Sequence, residues 1–218
     1  MRIIEAIEIH LQQSDIENWY AHPRRKLKRS AGVHLSGVLK VMAVEFNLLK
    51  DIPEEDFEEK LPLRMALGQS WEYFAAGLYP LMDYQPGQVE RDGIFGSPDG
   101  AWMEVPENKK GQRLGVRSYQ GPEEFKRTRK SCRDFDLFAN KNKLWIWQIM
   151  GYCCMDKRRP KRARLHPLFV EGDYVRGQYG FEERYWRYIV EFDQPELDKF
   201  WAMVLKFRDK AVKEVGSV

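Results

Sequence analysis

Residues 123–128 read Glu-Glu-Phe-Lys-Arg-Thr, and residues 135–155 read FDLFANKNKLWIWQIMGYCCM. The first stretch alternates in polarity, which is typical of a β-strand, and period two puts Glu124 and Lys126 on one face with Phe125 on the other. The second stretch is mostly apolar and long enough to predict a largely buried helix. A charged strand followed by such a helix favours a fold that combines helices with a sheet.

The other elements are predicted from apolar spacing and from turn residues. Apolar residues at i, i+3 and i+4 predict helices, and short β-prone runs bounded by Gly and Pro predict strands. A hairpin is predicted over 89–105, with its turn at Pro98-Asp99-Gly100, because this tripeptide favours a turn. The predicted helices cover 37–49, 63–79, 141–155 and 196–215, and the later strands cover 164–170 and 184–192. This order predicts a single α/β or α+β domain.

Composition excludes several classes of protein. A chain of 218 residues with 43% hydrophobic residues suits one globular domain, and it contains no apolar run long enough to span a bilayer. Charges at Arg2, Glu5 and Glu8 interrupt any secretory h-region, so a cytoplasmic location and no membrane association are expected. The three cysteines, Cys132, Cys153 and Cys154, predict neither a disulfide framework nor a four-cysteine metal site.

The charge is segregated although the net charge is only +3. Basic blocks occupy 24–29, 126–133 and 157–164, on a chain that is rich in Trp and Tyr. Phosphates would supply the counter-charge and aromatic rings can stack on bases, so a nucleic-acid partner is expected. The candidate contacts are Arg127, Lys130, Lys157, Arg158 and Arg159. The alternative is that each basic run is simply a solvated face.

Two carboxylates and a lysine form the chemically informative set. Asp99 lies in a turn, and Glu124-Phe125-Lys126 follows 25 residues later with both charged groups on one strand face. Carboxylate oxygens are hard ligands that suit Mg²⁺ or Mn²⁺, which take further ligands from water and phosphate. A neighbouring lysine can orient an attacking water. The set therefore indicates hydrolytic cleavage of phosphodiesters.

Five short motifs in order resemble the PD-(D/E)XK nuclease superfamily. They are His34-Leu35-Ser36, Gly68-Gln69-Ser70-Trp71-Glu72, Pro98-Asp99-Gly100, Glu124-Phe125-Lys126 and the pair Gln148 and Tyr152. The last pair is similar to the Q-x-x-x-Y motif of the phage and RecB-type exonuclease branch. The resemblance spans about residues 34–174 and implies a restriction-endonuclease-like core, with a central mixed β-sheet flanked by α-helices. On this reading 1–33 is an N-terminal extension, 34–175 the catalytic core, and 176–218 a C-terminal strand and helix of one domain.

The resemblance also implies roles for individual residues. Asp99, Glu124 and the backbone carbonyl of Phe125 would bind Mg²⁺ or Mn²⁺, with Glu72 acting through water, and Lys126 would activate water. Gln148 and Tyr152 would hold Lys126 and the DNA end, while His34 and Ser36 would lie near the scissile phosphate. Val41 stands where iron–sulfur members of the branch have a cysteine, so no Fe–S cluster is expected.

The activity implied is that of a metal-dependent DNA exonuclease acting in phage recombination or DNA processing. If the chain is phage-encoded, the expected location is the host cytoplasm. The family allows a homo-oligomer and a single-strand-annealing or recombination partner protein. The alternatives are a structure-specific or nonspecific endonuclease, and a DNA-binding module without activity.

Bland interpretations remain open at several positions. Asp99 fits an ordinary turn, Glu72 fits a helix surface, and Gln148 with Tyr152 fits a structural hydrogen-bonded pair. A rival E-x-K motif exists at Glu107-Asn108-Lys109. The later motif is preferred because it precedes the long helix. His166, before Pro167, has no partner visible in the sequence.

Overall fold

The computed structural model describes residues 1–9, 31–49, 61–78, 82–106, 112, 115–128, 132, 135–169 and 184–215, with only the backbone at 61–69, 214 and 215. Within these ranges a six-stranded sheet is the centre of the fold. Its strands are β1 (Arg2–Ile9), β3 (Asp83–Tyr84), β6 (Gly100–Glu104), β7 (Ser118–Thr128), β8 (Arg162–Phe169) and β9 (Arg184–Glu191). They follow the order β1-β9-β8-β7-β6-β3. Only β7 and β8 pair in parallel, so the sheet is mixed.

A smaller sheet and four helices complete the described part of the chain. The small sheet contains β2 (Val33–His34), β4 (Val89–Arg91) and β5 (Ile94–Gly96), in the order β2-β5-β4. The helices are α1 (Leu35–Glu45), α2 (Leu61–Leu78), α3 (Lys143–Met155) and α4 (Gln194–Val215), and a 3₁₀ turn at Asn140–Asn142 leads into α3. The helix α3 lies on the crossover between β7 and β8, because parallel neighbours cannot be joined by a tight turn.

Helices cover both faces of the central sheet. One face contributes Ala163, Leu165 and Val190 to a core shared with α1, α3 and α4. The opposite face contributes Phe125 and Leu168 to a second core that contains Trp71 of α2. This arrangement confirms the predicted class at its coarse level, an α/β fold with a mixed sheet between helices. None of the helices described combines the length and the apolar character needed to cross a membrane.

The predicted hairpin turn is wrong. The tight turn joins β4 to β5 at Asp92-Gly93, where φ is 54° and 75°. An Asp-Gly pair with two positive φ angles matches the two-residue turn that fits the twist of a hairpin. Pro98 and Asp99 instead lead the chain from β5 in the small sheet to β6 in the central sheet.

The strand β1 lies inside the segment expected to be an extension. It pairs antiparallel with β9 along its whole length, from Arg2 opposite Glu191 to Ile9 opposite Tyr185. The carboxylate of Glu5 pairs with Arg187, and that of Glu8 pairs with Arg184 at 2.8 Å. The charges that argue against a signal peptide are therefore cross-strand partners of β9.

Candidate active site

A polar cleft lies where β7, α3, the start of α1 and the end of β5 meet. Its volume is about 210 Å³. Apart from Leu35 and Gly96, the residues that line it have polar or aromatic side chains. They are His34, Leu35, Ser36, Glu72, Phe95, Gly96, Ser97, Asp99, Glu124, Lys126, Gln148 and Tyr152. All eight side chains singled out by the resemblance, from five separate segments of the chain, therefore line one cavity.

Backbone pairing brings the two carboxylates together. Gly100 of β6 lies opposite Glu123 of β7 in antiparallel pairing, so Asp99, just before Gly100, lies across from Glu124, just after Glu123. The backbone N–H of Phe125 donates to Oδ2 of Asp99 at 2.8 Å. The Glu124 side chain is only 2% exposed, and its Oε2 has no hydrogen-bond partner among the described residues. A buried carboxylate oxygen without a donor is a position that a cation would stabilise.

Lys126 is in direct contact with Glu124. Its Nζ donates to Oε1 of Glu124, as the two-residue period of a strand allows. Burial raises the pKa of Glu124, the Asp99 carboxylate raises it further, and Lys126 only partly opposes them. Burial alone lowers the pKa of Lys126, but the Glu124 and Asp99 carboxylates outweigh it and the net pKa is raised. Both shifts show that negative charge is crowded in this cleft.

On α3, Gln148 also donates to Glu124, and Tyr152 supports Gln148. Nε2 of Gln148 donates to Oε1 of Glu124 at 2.7 Å and to the Tyr152 hydroxyl at 2.9 Å. That hydroxyl donates to the carbonyl of Ser97 at 3.1 Å. Spacing of four residues places Gln148 and Tyr152 on one side of the helix, as the sequence predicts. The pair therefore connects β7 to the segment that carries Asp99.

The upstream residues enter the cleft from α1 and α2. Glu72 is half-buried on α2, and its charge contributes to the raised pKa of Glu124. The His34 ring is tilted at 43° against Phe95, with centroids 6.1 Å apart. Ser36 lies exposed in the first turn of α1. The predicted neighbours of the scissile phosphate, His34 and Ser36, and the predicted water-mediated metal ligand Glu72 thus lie on the cleft wall.

The basic residues predicted to contact DNA are placed elsewhere. Arg158 donates two side-chain hydrogen bonds to Asp156, and its guanidinium lies 3.2 Å from the Tyr119 ring centroid. Tyr119 precedes Glu124 by five residues of strand, or roughly 17 Å. Arg159 pairs with Asp198 at 2.9 Å. The basic run is therefore tied to the beginning of β7 and to α4 rather than to the cleft.

Three further predicted residues lie outside the cleft or outside the described ranges. Lys157 is exposed after the end of α3. Arg127 shares the strand face of Phe125, which is opposite to that of Glu124 and Lys126. Lys130 and the rival motif at Glu107-Asn108-Lys109 fall outside the residues that the structure describes.

The donor set fits a hard cation that keeps water ligands. Among the residues described, no group of three or more His, Cys, Asp or Glu side chains is arranged to hold a metal ion. Asp99 and Glu124 are the two carboxylates that could hold such an ion, with the other ligands from backbone, water or substrate. Mg²⁺ is usually bound in this way, through one or two carboxylates and several waters.

A buried polar group on the reverse face of β7 was not predicted from the sequence. Glu123 is fully buried, accepts from Arg164 at 3.2 Å, and lies 3.5 Å from Nε2 of His166. Nδ1 of His166 is hydrogen-bonded to the hydroxyl of Tyr185 at 2.7 Å. The contact follows from pairing among β7, β8 and β9, and no short-range pattern in the sequence reports that register.

Comparison with known proteins adds no relative. No protein-family model matches this chain, and no curated protein is similar to it in sequence.

Proposed function

We propose that this protein is a divalent-metal-dependent DNA nuclease that hydrolyses phosphodiester bonds on a restriction-endonuclease-like core. The observation that carries the proposal is the convergence of Asp99, Glu124 and Lys126 in one polar cleft. The three residues come from two segments, and strand pairing alone explains why they meet. Two carboxylates and a lysine gathered in one cleft are typical of a site for phosphodiester hydrolysis rather than of a solvated surface.

Mg²⁺ or Mn²⁺ would be held by Asp99, Glu124 and the backbone carbonyl of Phe125, with Glu72 contributing through water. When bound, the ion would polarise the scissile phosphate and stabilise the negative charge that develops on it. Oε2 of Glu124, which has no hydrogen-bond partner in the part of the chain that the structure describes, supports this assignment.

The remaining side chains would orient the reacting groups. Lys126 would hold a water near the phosphate through its ammonium group and assist proton transfer at Nζ. Gln148 keeps the Glu124 carboxylate in a fixed orientation, and Tyr152 ties Gln148 to Ser97. A carboxylate fixed by hydrogen bonds before substrate arrives needs little reorganisation during the reaction.

We propose exonuclease action, in recombination or DNA processing, because the Gln148–Tyr152 pair resembles the Q-x-x-x-Y motif of end-processing nucleases. The pair forms one hydrogen-bonded unit with Glu124. This arrangement supports a role for the motif in the cleft rather than in distant packing.

The test is a cleavage time course on two duplex DNAs carrying an internal label, one linear and one covalently closed. Each is incubated with Mg²⁺, Mn²⁺ or EDTA. An exonuclease degrades only the linear DNA, and only with metal. Cutting of the closed circle as well would identify an endonuclease instead. Binding in EDTA without cleavage under any metal would leave a DNA-binding module and contradict the nuclease proposal.

Matched variants assign the activity to the cleft. Asp99→Asn and Glu124→Gln should each abolish cleavage, because each removes one of the two anionic ligands. Glu90→Gln is the control, since Glu90 is an exposed carboxylate on β4 and does not line the cleft. Equal activity of Asp99→Asn and Glu90→Gln would exclude the cleft as the site.

A further inference from the structure

A closed group of aromatic side chains lies on the face of β7 opposite the cleft. His166 of β8 stacks on Phe125 with centroids 4.6 Å apart and planes at 29°. Trp71 of α2 meets Phe125 edge-on at 6.5 Å and 82°, and meets Tyr185 of β9 at 4.8 Å and 80°. The 2.7 Å hydrogen bond between Tyr185 and His166 closes the ring of contacts. Four elements of the fold, β7, β8, β9 and α2, therefore meet around Phe125.

Polar groups within this aromatic group fix its geometry. His166 is fully buried, and its two ring nitrogens face Tyr185 and Glu123. A buried imidazole beside a buried carboxylate costs more free energy than an aliphatic side chain of similar volume. The hydrogen bond between Nδ1 and Tyr185 at one edge, with the Glu123 carboxylate 3.5 Å from Nε2 at the other, sets the plane of the ring, which an aliphatic side chain cannot do.

Phe125 connects this group to the cleft. It stands between Glu124 and Lys126 on β7, and its backbone N–H holds Asp99 at 2.8 Å. Trp71, which contacts the Phe125 ring, immediately precedes Glu72 of the cleft wall. A shift of the Phe125 side chain would therefore move the peptide that holds Asp99 and separates Glu124 from Lys126.

We propose that His166 is a positioning residue for the acidic cleft, acting through its stack on Phe125, and that Tyr185 orients the His166 ring. The catalytic meaning of this inference rests on the proposed nuclease function. The positioning itself is measurable in the metal-free protein, because His166 would act first on the hydrogen bond from the Phe125 N–H to Asp99.

The first experiment is amide hydrogen exchange of metal-free protein, read at Phe125. Replacing the ring in His166→Leu should speed exchange at Phe125 about tenfold more than at other amides of the central sheet. Tyr185→Phe, which removes only a hydroxyl, should give a smaller increase of about threefold. Val190→Ala is the control: it removes volume from the buried β9 position on the other face of the sheet. It should raise exchange at Phe125 no more than elsewhere.

The second experiment is titration with Mn²⁺ and, separately, with DNA in EDTA. His166→Leu should weaken Mn²⁺ binding about tenfold and leave DNA affinity within twofold of the original protein. His166→Phe keeps a flat ring over Phe125 and should recover most of the Mn²⁺ affinity. If His166 only filled space, no ring would be needed and leucine would serve as well as phenylalanine. Val190→Ala should leave the Mn²⁺ affinity unchanged.

Equal acceleration of all sheet amides in His166→Leu, or Mn²⁺ affinity within twofold, would overturn the inference. If His166→Leu does not fold, Tyr185→Phe decides, and no selective change at Phe125 in that variant overturns it. Failure of the nuclease proposal has a different signature. The original protein would then show no metal-dependent cleavage, while the exchange at Phe125 would still report on positioning.

Discussion

Lys126 is the residue on which the proposed hydrolysis depends most directly. Its ammonium contacts Glu124, and the Glu124 and Asp99 carboxylates raise its pKa against the opposing effect of burial. Replacement by alanine removes the group that would orient water but leaves both carboxylates. We expect Lys126→Ala to slow single-turnover cleavage by about 10²–10⁴-fold, the usual range for loss of a proton-transfer group.

Binding measurements separate chemistry from metal loss in this variant. Mn²⁺ affinity should be retained or increased, because Glu124 is released from its ion pair. Lys206→Ala, an exposed position on α4, serves as the control and should cleave normally. Normal cleavage by Lys126→Ala would remove this lysine from the mechanism.

The Tyr152 hydroxyl is a second single-residue test. It accepts from Gln148 at 2.9 Å and donates to the Ser97 carbonyl at 3.1 Å, in a side chain that is 5% exposed. Tyr152→Phe removes both hydrogen bonds without changing the packing volume. Urea denaturation should show a free energy of unfolding lower by about 1–2 kcal/mol, since a buried partner left unsatisfied costs this much. An unchanged unfolding midpoint would mean that water replaces the hydroxyl.

At the scale of elements, the contact between β7 and β8 sets the position of the acidic strand. A Cβ added to Gly121 would lie 1.9 Å from the backbone carbonyl oxygen of Arg162, which cannot turn away as a side chain can. Gly121→Ala should therefore lower the free energy of unfolding by about 3 kcal/mol, the upper part of the range for overpacking. Ser118→Ala, on the same strand, should change it by less than about 1 kcal/mol. Equal unfolding curves for the two variants would contradict the close approach of the strands.

The helices and the later strands could be predicted because each carries its own periodic pattern. The segment 135–155 has too few polar residues for a surface helix, and α3 does occupy Lys143–Met155. Its later start reflects the 3₁₀ turn at Asn140–Asn142. Strand β7 is longer than the predicted 123–128, because residues 118–122, with Pro122 among them, also pair with β6. Their sequence does not alternate in polarity, so it does not predict a strand.

The missed features depend on long-range pairing. Strand β1 is stabilised by β9, nearly two hundred residues away along the chain, and local sequence does not report such a partner. The same is true of His166 on β8, whose partner Tyr185 lies on the neighbouring strand β9. The shared strand face of Glu124 and Lys126 could be predicted because period two suffices for that inference, whereas Asp99 reaches them through the pairing of β6 with β7 rather than through the predicted turn. The reverse-face network could not be predicted, because it requires the register of three strands.

At the scale of the whole molecule, an ion pair between the buried Asp156 and the exposed Arg158 lies where the end of α3 meets Tyr119, at the beginning of β7. Asp156 is 6% exposed and accepts three hydrogen bonds from Arg158, one of them from the backbone N–H. Burial alone raises the pKa of Asp156, but the hydrogen bonds from Arg158 and Tyr119 overcome it and the pKa is lowered. A lowered pKa stabilises the fold above the unfolded-state pKa of about 3.9, and this contribution is lost as pH falls through the folded-state pKa.

The measurement is urea denaturation of the original protein and of Asp156→Asn at several pH values. Between pH 5 and 7 the variant should be less stable by about 2 kcal/mol, the usual effect of hydrogen bonds to a charged group. The difference should shrink as the pH falls below the unfolded-state pKa of about 3.9 and disappear below the lower folded-state pKa, where the carboxyl is neutral in both states. A difference that stays constant down to pH 2 would show that the charge of Asp156 is not responsible.

Crowded carboxylates also link the stability of the whole domain to divalent metal. Without a cation, Asp99, Glu124 and Glu72 share one cleft, and burial and the Asp99 charge raise the pKa of Glu124. An ion that binds the folded chain but not the unfolded chain stabilises it by about 2.7 kcal/mol at a hundred times its Kd. For a chain of this length that corresponds to an increase in Tm of roughly 5–10 °C. We expect Mn²⁺ to raise Tm by this amount and EDTA to reverse the change. Asp99→Asn should abolish the increase, and Glu90→Gln, on β4, should preserve it. An equal increase in both variants would place the bound ion away from the cleft, and no increase in the original protein would contradict a metal-binding role for Asp99 and Glu124.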